Sequence, residues 1–360
     1  MRKIAFIGQL LNDKTAAGIH RYTLELLKAL DHIVNKNCIE LIVPTYENFS
    51  LQFENIKVVQ IGKKVKLPGI LGIKIERYLY KNFYVSHYVK RYNLLSVDFL
   101  LQFPLFGCDV IAIHDCRVNK FQEFYSFSKD QKRVRRAMLR HQNRAVGKCK
   151  CIVTISDTAK SEIQEEYPEY NGPIPVIGCA WQHFMNVSTD ETIISKLGLI
   201  PKSYFFLLGS RLPHKNIRWI SYAAQKYPQY KFVVSGKSMG GNDFEGKQHS
   251  NVIFAGRLSD GEVKSLMQNC KAFIQPSLYE GFGLPPLEAM SVGADCLISD
   301  IPVFREIYKN SVWYFDPLDY EGIDLDKIMS HPKESNSFVL NEYSWEKSAK
   351  KLWDILQGLQ

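Results

Sequence analysis

Short apolar runs separated by amphipathic stretches make up the first half of the chain. The apolar runs predict buried β-strands at residues 3–7, 39–44, 56–61, 98–101, 109–113 and 151–155. The stretches between them carry apolar residues at helical spacing and predict helices at residues 18–30, 70–92, 129–146 and 158–167. Strands that alternate with helices in this way form parallel sheets covered by helices. The pattern therefore predicts a Rossmann-like domain.

A second series of the same kind begins at residue 204. It predicts strands at 204–208, 231–235, 251–255, 271–275 and 312–315, with helices after Asn216 and Ser259 and a last helix at 345–356. Residues 173–203 lack strong periodicity apart from 189–197, so we place the domain junction there. We expect an α/β protein with one Rossmann-like domain at 1–180, a second at 181–342 and a terminal helix at 343–360.

The chain is basic and has no sequence pattern of a metal site. Lys and Arg total 46 against 37 Asp and Glu, a net charge of +9 that favours an anionic partner. No DNA- or RNA-reading motif accompanies this charge, so we predict no nucleic-acid partner. The eight cysteines include no Cys-x-x-Cys pair, and we interpret them as reduced, mostly buried thiols of a cytoplasmic protein. No apolar run reaches the length of a secretory signal or a spanning helix.

Residues 277–290 combine two glycines, two prolines and two acidic residues directly after a predicted strand. Gly281 and Gly283 lie in the loop, and the two prolines stand where a helix begins. Free N–H groups at the start of a helix suit an anion such as phosphate, and glycine lets a ligand approach the backbone closely. This loop is therefore our candidate for binding a phosphate group.

Two carboxylates flank the loop, Glu280 before it and Glu288 inside the following helix. An ionised carboxylate accepts two hydrogen bonds, which fits the neighbouring hydroxyls of a sugar or a ribose. The alternative is a solvated loop glutamate and a first-turn glutamate favoured by the helix dipole. For either residue alone the alternative stays open, whereas the combination with Gly-Phe-Gly and Pro-Pro favours a ligand site.

The run Glu280-Gly-Phe-Gly-Leu-Pro-Pro-Leu-Glu288 resembles the E-x7-E motif of the retaining glycosyltransferases of family 4. Residues 291–306 and the Tyr343-Ser-Trp345 entry to the last helix are also similar to that family. The resemblance covers the C-terminal half and, more loosely, the N-terminal half. It implies the GT-B fold, in which two Rossmann-like domains with parallel sheets face each other across a cleft and the C-terminal helix crosses back to the first domain.

The resemblance also implies a donor site for a nucleotide-diphosphate sugar in the second domain, with the first domain on the acceptor side. The implied donor-binding residues are Gly18, Arg211, Lys215, Glu280, Gly281, Phe282, Gly283, Leu284 and Glu288. Only Gly18 remains of the Gly-Gly pair that usually opens the first helix, and His214 stands where an arginine usually precedes Lys215. We expect Arg211 to supply the missing charge. The alternative for Gly18 is a helix start with no ligand role. The alternative for Arg211 and Lys215 is a pair of surface cations.

The catalytic residues implied by the resemblance are Glu280, Lys215 and His114. His114 follows the strand predicted at 109–113, and ligands of open α/β sheets bind at such strand ends; a structural histidine is the alternative. Glu280 would hold sugar hydroxyls, Glu288 the ribose and Lys215 the leaving diphosphate. The family retains the anomeric configuration and usually needs no bound metal. We therefore expect a metal-independent hexosyltransferase with no cofactor besides its donor substrate.

An arginine stripe marks the helix predicted at 129–146. Its members are Arg133, Arg136, Arg140 and Arg144, and Val134, Ala137, Met138, His141 and Ala145 share a different face. A solvated surface is one interpretation, and a peripheral contact with an anionic membrane is the other. Four tyrosines recur every fourth residue in the helix predicted at 70–92 and either pack on the domain or face a membrane surface.

The family and the basic charge together indicate a glycan or lipid-linked acceptor in lipopolysaccharide or polysaccharide biosynthesis, at the inner face of the membrane. Two other functions stay open. A nucleotide-sugar epimerase of the same architecture would need acid/base carboxylates that we do not identify in the sequence. A catalytically silent nucleotide-sugar binder would serve as a scaffold, but intact Glu280, Glu288 and Lys215 argue against it.

Overall fold

The chain forms two compact α/β units in the computed structural model, which describes residues 2–9, 11, 18–63, 69–122, 129–209, 212–236 and 249–360. The first unit comprises Met1–Lys120, Lys129–Cys179 and Trp345–Gln360. The second comprises Ala180–Ser344 and includes the short segment that starts at Phe121.

A six-stranded parallel sheet forms the centre of the first unit. Its strands are β1 (Ile4–Ile7), β2 (Ile39–Pro44), β3 (Lys57–Ile61), β4 (Leu95–Asp98), β5 (Val110–Ala112) and β6 (Cys151–Val153). They are arranged in the order β3-β2-β1-β4-β5-β6. From β1 the chain adds β2 and β3 on one side and then crosses to add β4, β5 and β6 on the other side. The topological switch point of this Rossmann-like sheet therefore lies between β1 and β4.

Helices connect these strands. They are α1 (Gly18–Asp31), α2 (Gly69–Leu79), α3 (Val85–Arg91), α4 (Arg117–Lys120), α5 (Lys129–Val146) and α6 (Asp157–Glu166). The predicted apolar face of α1 is confirmed, because Tyr22, Leu26 and Leu30 are buried. Ser156 caps α6, since its Oγ accepts from the N–H of Ala159 at 3.0 Å.

The helix predicted at 70–92 contains a π-helical segment, Tyr80–Tyr84, between α2 and α3. This insertion rotates the tyrosines relative to a regular helix, so they do not share one environment. Tyr80 is buried and donates to the carbonyl of Ile42 at 2.5 Å, and Tyr88 donates to Glu40 at 2.8 Å. Tyr92 is exposed. Packing on the domain is therefore the interpretation that the structure confirms for Tyr80 and Tyr88.

The predicted position of the fourth strand, residues 98–101, was wrong by several residues, since β4 ends at Asp98. Carboxylate oxygens of Asp98 accept from the backbone N–H groups of Leu100, Gln102 and Phe103 at 3.1, 3.2 and 2.6 Å. These bonds turn the chain out of the sheet. Phe99 and Leu100 are apolar because they are buried in this turn, which the hydrophobic pattern does not distinguish from a strand.

The second unit repeats the same sheet topology. Its strands are β7 (Tyr204–Leu208), β8 (Lys231–Ser235), β9 (Val252–Gly256), β10 (Ala272–Gln275), β11 (Cys296–Ser299) and β12 (Trp313–Phe315). Their order is β12-β11-β10-β7-β8-β9, and every pair is parallel. The switch point therefore lies between β7 and β10. Strand β11 is absent from our predictions.

Eight helices and one 3-10 turn accompany this sheet in the described residues. The helices are α7 (Gln182–Met185), α8 (Thr192–Lys196), α9 (Ile217–Lys226), α10 (Asp260–Asn269), α11 (Leu284–Ser291), α12 (Pro302–Tyr308), α13 (Leu325–Ser330) and α14 (Ser337–Glu342). Ser259 caps α10 as predicted, in a capping box with Glu262. The 3-10 turn is Pro213–Lys215.

The last helix, α15 (Trp345–Gly358), belongs to the first unit and packs along α1. It buries Trp345, Ala349, Leu352 and Leu356, and the ring of Trp345 lies 5.7 Å from that of Tyr22. The chain thus leaves the first unit after Cys179 and returns to it at Trp345.

All eight cysteines are free thiols, and six of them are buried, in agreement with the prediction. Within the parts of the chain that the structure describes, no helix combines the length and the apolar character needed to cross a membrane.

Candidate active site

The carboxyl ends of β7 and β10 meet at the switch point of the second sheet. These strands are neighbours and run parallel, with Phe205 opposite Ala272. The segments that leave them, 209–216 and 276–283, therefore start at the same edge of the sheet. Open α/β sheets bind their ligands at this edge. The sequence places the predicted donor residues Lys215 and Glu280 in these two segments.

Glu280 accepts several hydrogen bonds at this edge. Its Oε1 atom lies 2.5 Å from Nζ of Lys215, 2.9 Å from Nε2 of Gln275 and 2.7 Å from Oγ of Ser277, and it accepts from all three. Burial alone would raise the pKa of Glu280, but the charges of Lys215 and His214 and the hydrogen bonds of Lys215 and Ser277 outweigh it and lower the pKa. Glu280 is therefore an ionised acceptor with a fixed orientation.

Lys215 approaches Glu280 because the chain folds sharply after β7. The 3-10 turn ends at Asn216, which has a left-handed backbone with φ of 52°. The Asn216 side chain holds this conformation by donating to the carbonyl of Pro317 at 2.8 Å and accepting from Tyr320 at 3.1 Å. Gly209 lies beside the Lys215 side chain, where an added Cβ would be 3.6 Å from its Cε atom. The lysine chain thus extends across the glycine towards Glu280.

The Gly281–Gly283 loop leads directly into α11, with Gly283 as the N-cap and prolines in the first turn. Gly283 has φ of 94°, a conformation that side-chain-bearing residues rarely adopt. Its missing side chain also makes room for the ring of Phe304, and its carbonyl accepts from the hydroxyl of Tyr308. Phe282 is buried with its ring 5.2 Å from that of Tyr343. The loop therefore presents backbone, and not side chains, at the start of the helix.

Glu288 lies on α11, beyond this loop, and is 3% exposed. Its Oε1 atom is 2.9 Å from Nε2 of His183, a residue that sequence reasoning missed. The signal for His183 was weak, because it lies in the stretch 173–203 without strong periodicity. Leu284, the remaining residue of the predicted donor set in this segment, is the first residue of α11.

His114 lies at the carboxyl edge of the first sheet, two residues after the end of β5. The carbonyl of Ile113, the preceding residue, accepts from Oγ1 of Thr154 at 2.8 Å, and the ring of Tyr22 packs edge-on against the imidazole at 4.7 Å. The buried Nε2 atom of His114 has no hydrogen-bond partner among the described residues. Burial lowers the pKa of His114 to about 4, against a smaller opposing effect of Asp115. The imidazole is therefore neutral near pH 7.

Two other predicted residues have simpler outcomes. Gly18 is the first residue of α1, and an added Cβ would meet nothing within 4 Å. Arg211 lies outside the described residues.

Three members of the arginine stripe on α5, Arg133, Arg136 and Arg140, are exposed, and Arg144 is half-buried. Two apolar residues of the same helix are also exposed, Val134 at 53% and Met138 at 39%. The helix buries its C-terminal end instead, at Gln142, Ala145 and Val146. The stripe is therefore part of a surface with mixed basic and apolar character.

The carboxyl edge of the second sheet thus combines a cation with hydrogen-bond acceptors. Lys215 offers positive charge to an anion, and the Gly281–Gly283 loop adds backbone N–H groups, since the prolines in the first turn of α11 have none. Glu280 and Glu288 offer acceptors to hydroxyl groups. His114, in the first unit, offers a neutral imidazole nitrogen.

Comparisons with known proteins identify sequences similar to this chain. Residues 189–355 match the family described as Glycosyl transferases group 1. The chain is 30% identical over 226 residues to the O-antigen chain mannosyltransferase RfbU of Salmonella typhimurium strain LT2, a match that covers 60% of this chain and 59% of that protein. It is 26% identical over 259 residues to the O-antigen chain mannosyltransferase B of Escherichia coli, covering 66% and 67%.

The fold has clear relatives among solved structures. Sucrose-phosphate synthase from Thermosynechococcus elongatus superposes with a TM-score of 0.73 at 16% identity, over 100% of this chain and 99% of that one. This likeness shows the fold, which is GT-B, as predicted. The family match and the mannosyltransferase relatives show that the chain is similar to glycosyltransferases, and the chain spans less than two thirds of the length of RfbU.

Proposed function

We propose that this protein is a retaining glycosyltransferase of family 4, which moves a hexosyl group from a nucleotide-diphosphate sugar to a glycan or lipid-linked acceptor. The observation that carries the proposal is the Lys215–Glu280 pair, 2.5 Å apart at the switch point of the second sheet. It joins a cation for the donor diphosphate to a carboxylate for the donor sugar. The E-x7-E spacing of Glu280 and Glu288 and the family match over 189–355 support it.

In the proposed donor complex, each group of the site binds one part of the donor. Lys215 carries three N–H donors, so it can keep its bond to Glu280 and still contact a phosphate oxygen. The N–H groups of the Gly281–Gly283 loop face the same diphosphate from the start of α11. Oε1 of Glu280 is occupied by its three donors, and Oε2 accepts from a sugar hydroxyl. Glu288 binds the ribose hydroxyls.

The bond that breaks joins the anomeric carbon to the diphosphate oxygen, and negative charge accumulates on the leaving diphosphate. Lys215 and the loop amides stabilise that charge because they are already in place before the bond breaks. The acceptor hydroxyl then forms the new bond to the anomeric carbon on the face that the diphosphate leaves. Its proton passes to the departing phosphate oxygen, so no carboxylate needs to act as nucleophile and the configuration is retained.

His114 is proposed to bind a hydroxyl of the transferred sugar. Its neutral imidazole and unpartnered Nε2 suit a hydrogen bond to an uncharged group better than an ion pair. Gly18 and Arg211 are proposed to border the donor. The reaction needs no resident metal in this proposal, so the rate should be unchanged by EDTA.

The biological setting proposed is cell-envelope polysaccharide or lipopolysaccharide biosynthesis. Two relatives are named O-antigen chain mannosyltransferases, and this makes a mannosyl donor the first to test. The basic-apolar surface of α5 favours a protein that acts in the cytoplasm at the inner face of the membrane, where a lipid-linked acceptor lies.

The test compares wild type with Lys215→Ala. Thermal shift with ADP, GDP, UDP and their sugar conjugates, GDP-mannose included, identifies the donor, because a ligand at about 100 times its Kd stabilises by about 2.7 kcal/mol. With that donor we expect kcat/KM of Lys215→Ala to fall by on the order of 100-fold or more, since one transition-state charge contact is removed.

Turnover of Lys215→Ala near the wild-type level contradicts the assigned role. Release of an epimerised sugar without acceptor identifies the epimerase alternative. Donor binding without transfer to any acceptor glycan identifies the silent binder.

A further inference from the structure

Glu288 is held by a histidine from a distant part of the same unit. The His183–Glu288 pair joins residues 105 positions apart, with 2.9 Å between Nε2 and Oε1. Both side chains are nearly inaccessible, at 7% and 3% exposure. With its proton on Nε2, His183 donates to Oε1 of Glu288.

We infer that His183 is a positioning residue that orients Glu288 for the ribose of the donor. A carboxylate removed from water needs a bonded partner to stay charged, and a single bonded orientation limits the rotation of its side chain. A carboxylate has two oxygens with about four lone pairs in total, so a carboxylate that accepts from a histidine can also accept from ribose hydroxyls. The inference rests on the proposed function, in which Glu288 binds the ribose.

The segment that carries His183 is connected to the donor loop by hydrogen bonds and a ring contact. Trp181 donates from Nε1 to the carbonyl of Leu340 at 3.0 Å, and Gln182 donates from Nε2 to the carbonyl of Tyr343 at 3.0 Å. The ring of Tyr343 in turn contacts Phe282, in the loop before α11. His183 and Glu288 are therefore fixed from both sides of their hydrogen bond, which is the arrangement of a prepared binding site.

Two substitutions separate the hydrogen bond from the bulk of the ring. In His183→Gln the side-chain amide places an N–H at about the reach of the histidine Nε2. In His183→Asn the amide is too short and corresponds to the Nδ1 position. Met185→Ala is the matched control, because Met185 lies on the same short helix and is exposed.

The readout is discrimination between two ligands. Calorimetry measures the Kd of the tightest binder among ADP, GDP and UDP and the Kd of its 2′,3′-dideoxy counterpart. In wild type and in Met185→Ala we expect the ribose form to bind about 10- to 100-fold more tightly, the effect of one or two hydrogen bonds to a charged group. Glu288→Ala should bring this ratio close to 1, His183→Asn should reduce it at least about fivefold, and His183→Gln should preserve it.

Two results overturn the inference: a wild-type ratio in His183→Asn, or an equal loss of affinity for both ligands, which indicates a purely structural histidine. If His183→Asn does not fold, His183→Gln decides, with a preserved ratio in favour and a lost ratio against. A wild-type protein that does not distinguish the two ligands removes the ribose role of Glu288 as well. The donor site as a whole is tested separately by Lys215→Ala, so the two failures can be told apart.

Discussion

At the scale of single residues, burial decides the charge state of the candidate groups. Glu280 remains ionised in a buried place because a lysine, a glutamine and a serine donate to one of its oxygens. His114 lacks such compensation, and its pKa falls to about 4. Burial disfavours the charged form of both residues, and the bonded partners of Glu280 outweigh that effect.

The pKa of His114 has a consequence for stability. A histidine with a usual pKa of 6.5 takes up its proton in the unfolded chain between pH 6.5 and about 4 but not in the folded protein. The free energy of unfolding should therefore decrease as the pH falls through this range, by about 3 kcal/mol in total at about 1.36 kcal/mol per pH unit, and should be unaffected above pH 7.

Urea denaturation at pH 7.0, 5.5 and 4.5 checks this for wild type and His114→Gln. The variant lacks the titrating group, so we expect its stability relative to wild type to improve steadily as the pH is lowered. His87→Gln, at an exposed position, is the control and should follow wild type at each pH. A constant difference between His114→Gln and wild type would contradict the assigned pKa.

At the scale of elements, loops after strands create the site, and a few backbone conformations make these loops possible. Asn216 has a left-handed backbone at the end of the 3-10 turn, and Gly283 has one at the start of α11. Both conformations are anchored by side chains of later elements, Tyr320 for Asn216 and Tyr308 for Gly283. The backbone at these two positions is therefore held in place by other segments of the second unit.

Gly283→Ala tests this constraint. The alanine meets both an unfavourable φ of 94° and the ring of Phe304, whereas Gly293→Ala meets a similar φ of 84° but open space. We expect Gly293→Ala to lose about 1 to 2 kcal/mol of unfolding free energy from backbone strain alone, and Gly283→Ala to lose more. Denaturant unfolding measures both losses. Gly283→Ala should also abolish the thermal shift by nucleotide, and equal losses in the two variants would show that the Phe304 contact is unimportant.

At the scale of the whole molecule, two sheets of the same topology are joined in one basic chain. The net charge is +9, and part of it is concentrated in three exposed arginines of α5 beside exposed Val134 and Met138. Positive charge near an anionic membrane contributes about 1 kcal/mol per residue. This is the physical basis for the proposed peripheral contact.

Replacing Arg133, Arg136 and Arg140 together by glutamine should weaken binding to vesicles containing anionic lipid by about 100-fold. This fold-change corresponds to the loss of about 3 kcal/mol of binding free energy, about 1 kcal/mol for each arginine. Cosedimentation at low and high salt measures it, and salt should weaken wild-type binding because it screens charge. The matched control replaces three exposed lysines elsewhere, Lys226, Lys350 and Lys351, with the same change in net charge. If both triple variants bind equally weakly, overall charge and not α5 is responsible.

Local pattern was sufficient for most of the fold. Strands β2, β7 and β8 and helix α5 match their predicted bounds, and most other predicted elements differ by a residue or two. Strand β11 was missed. Two further errors share a cause. Strand β4 was displaced and the π segment was missed because the hydrophobic period does not distinguish a buried turn from a strand, or a π turn from an α turn.

The candidate site was likewise only partly predictable from local sequence pattern. Residues 280–288 were identifiable because glycines, prolines and glutamates at close spacing have a local meaning, and Lys215 because it follows a strand. The bond between Lys215 and Glu280 depends on β7 and β10 being neighbours in the sheet.

The sequence by itself determined the alternation of strands and helices, the loop before α11 and the residue types available to a donor. Only the tertiary structure decided that His183 meets Glu288, that Gln275 and Ser277 share Glu280 with Lys215, and that His114 is buried and neutral. The physical reason is range. Helix and strand formation depend on neighbours a few positions apart, whereas hydrogen bonds and burial depend on which distant segments the packed sheets bring together.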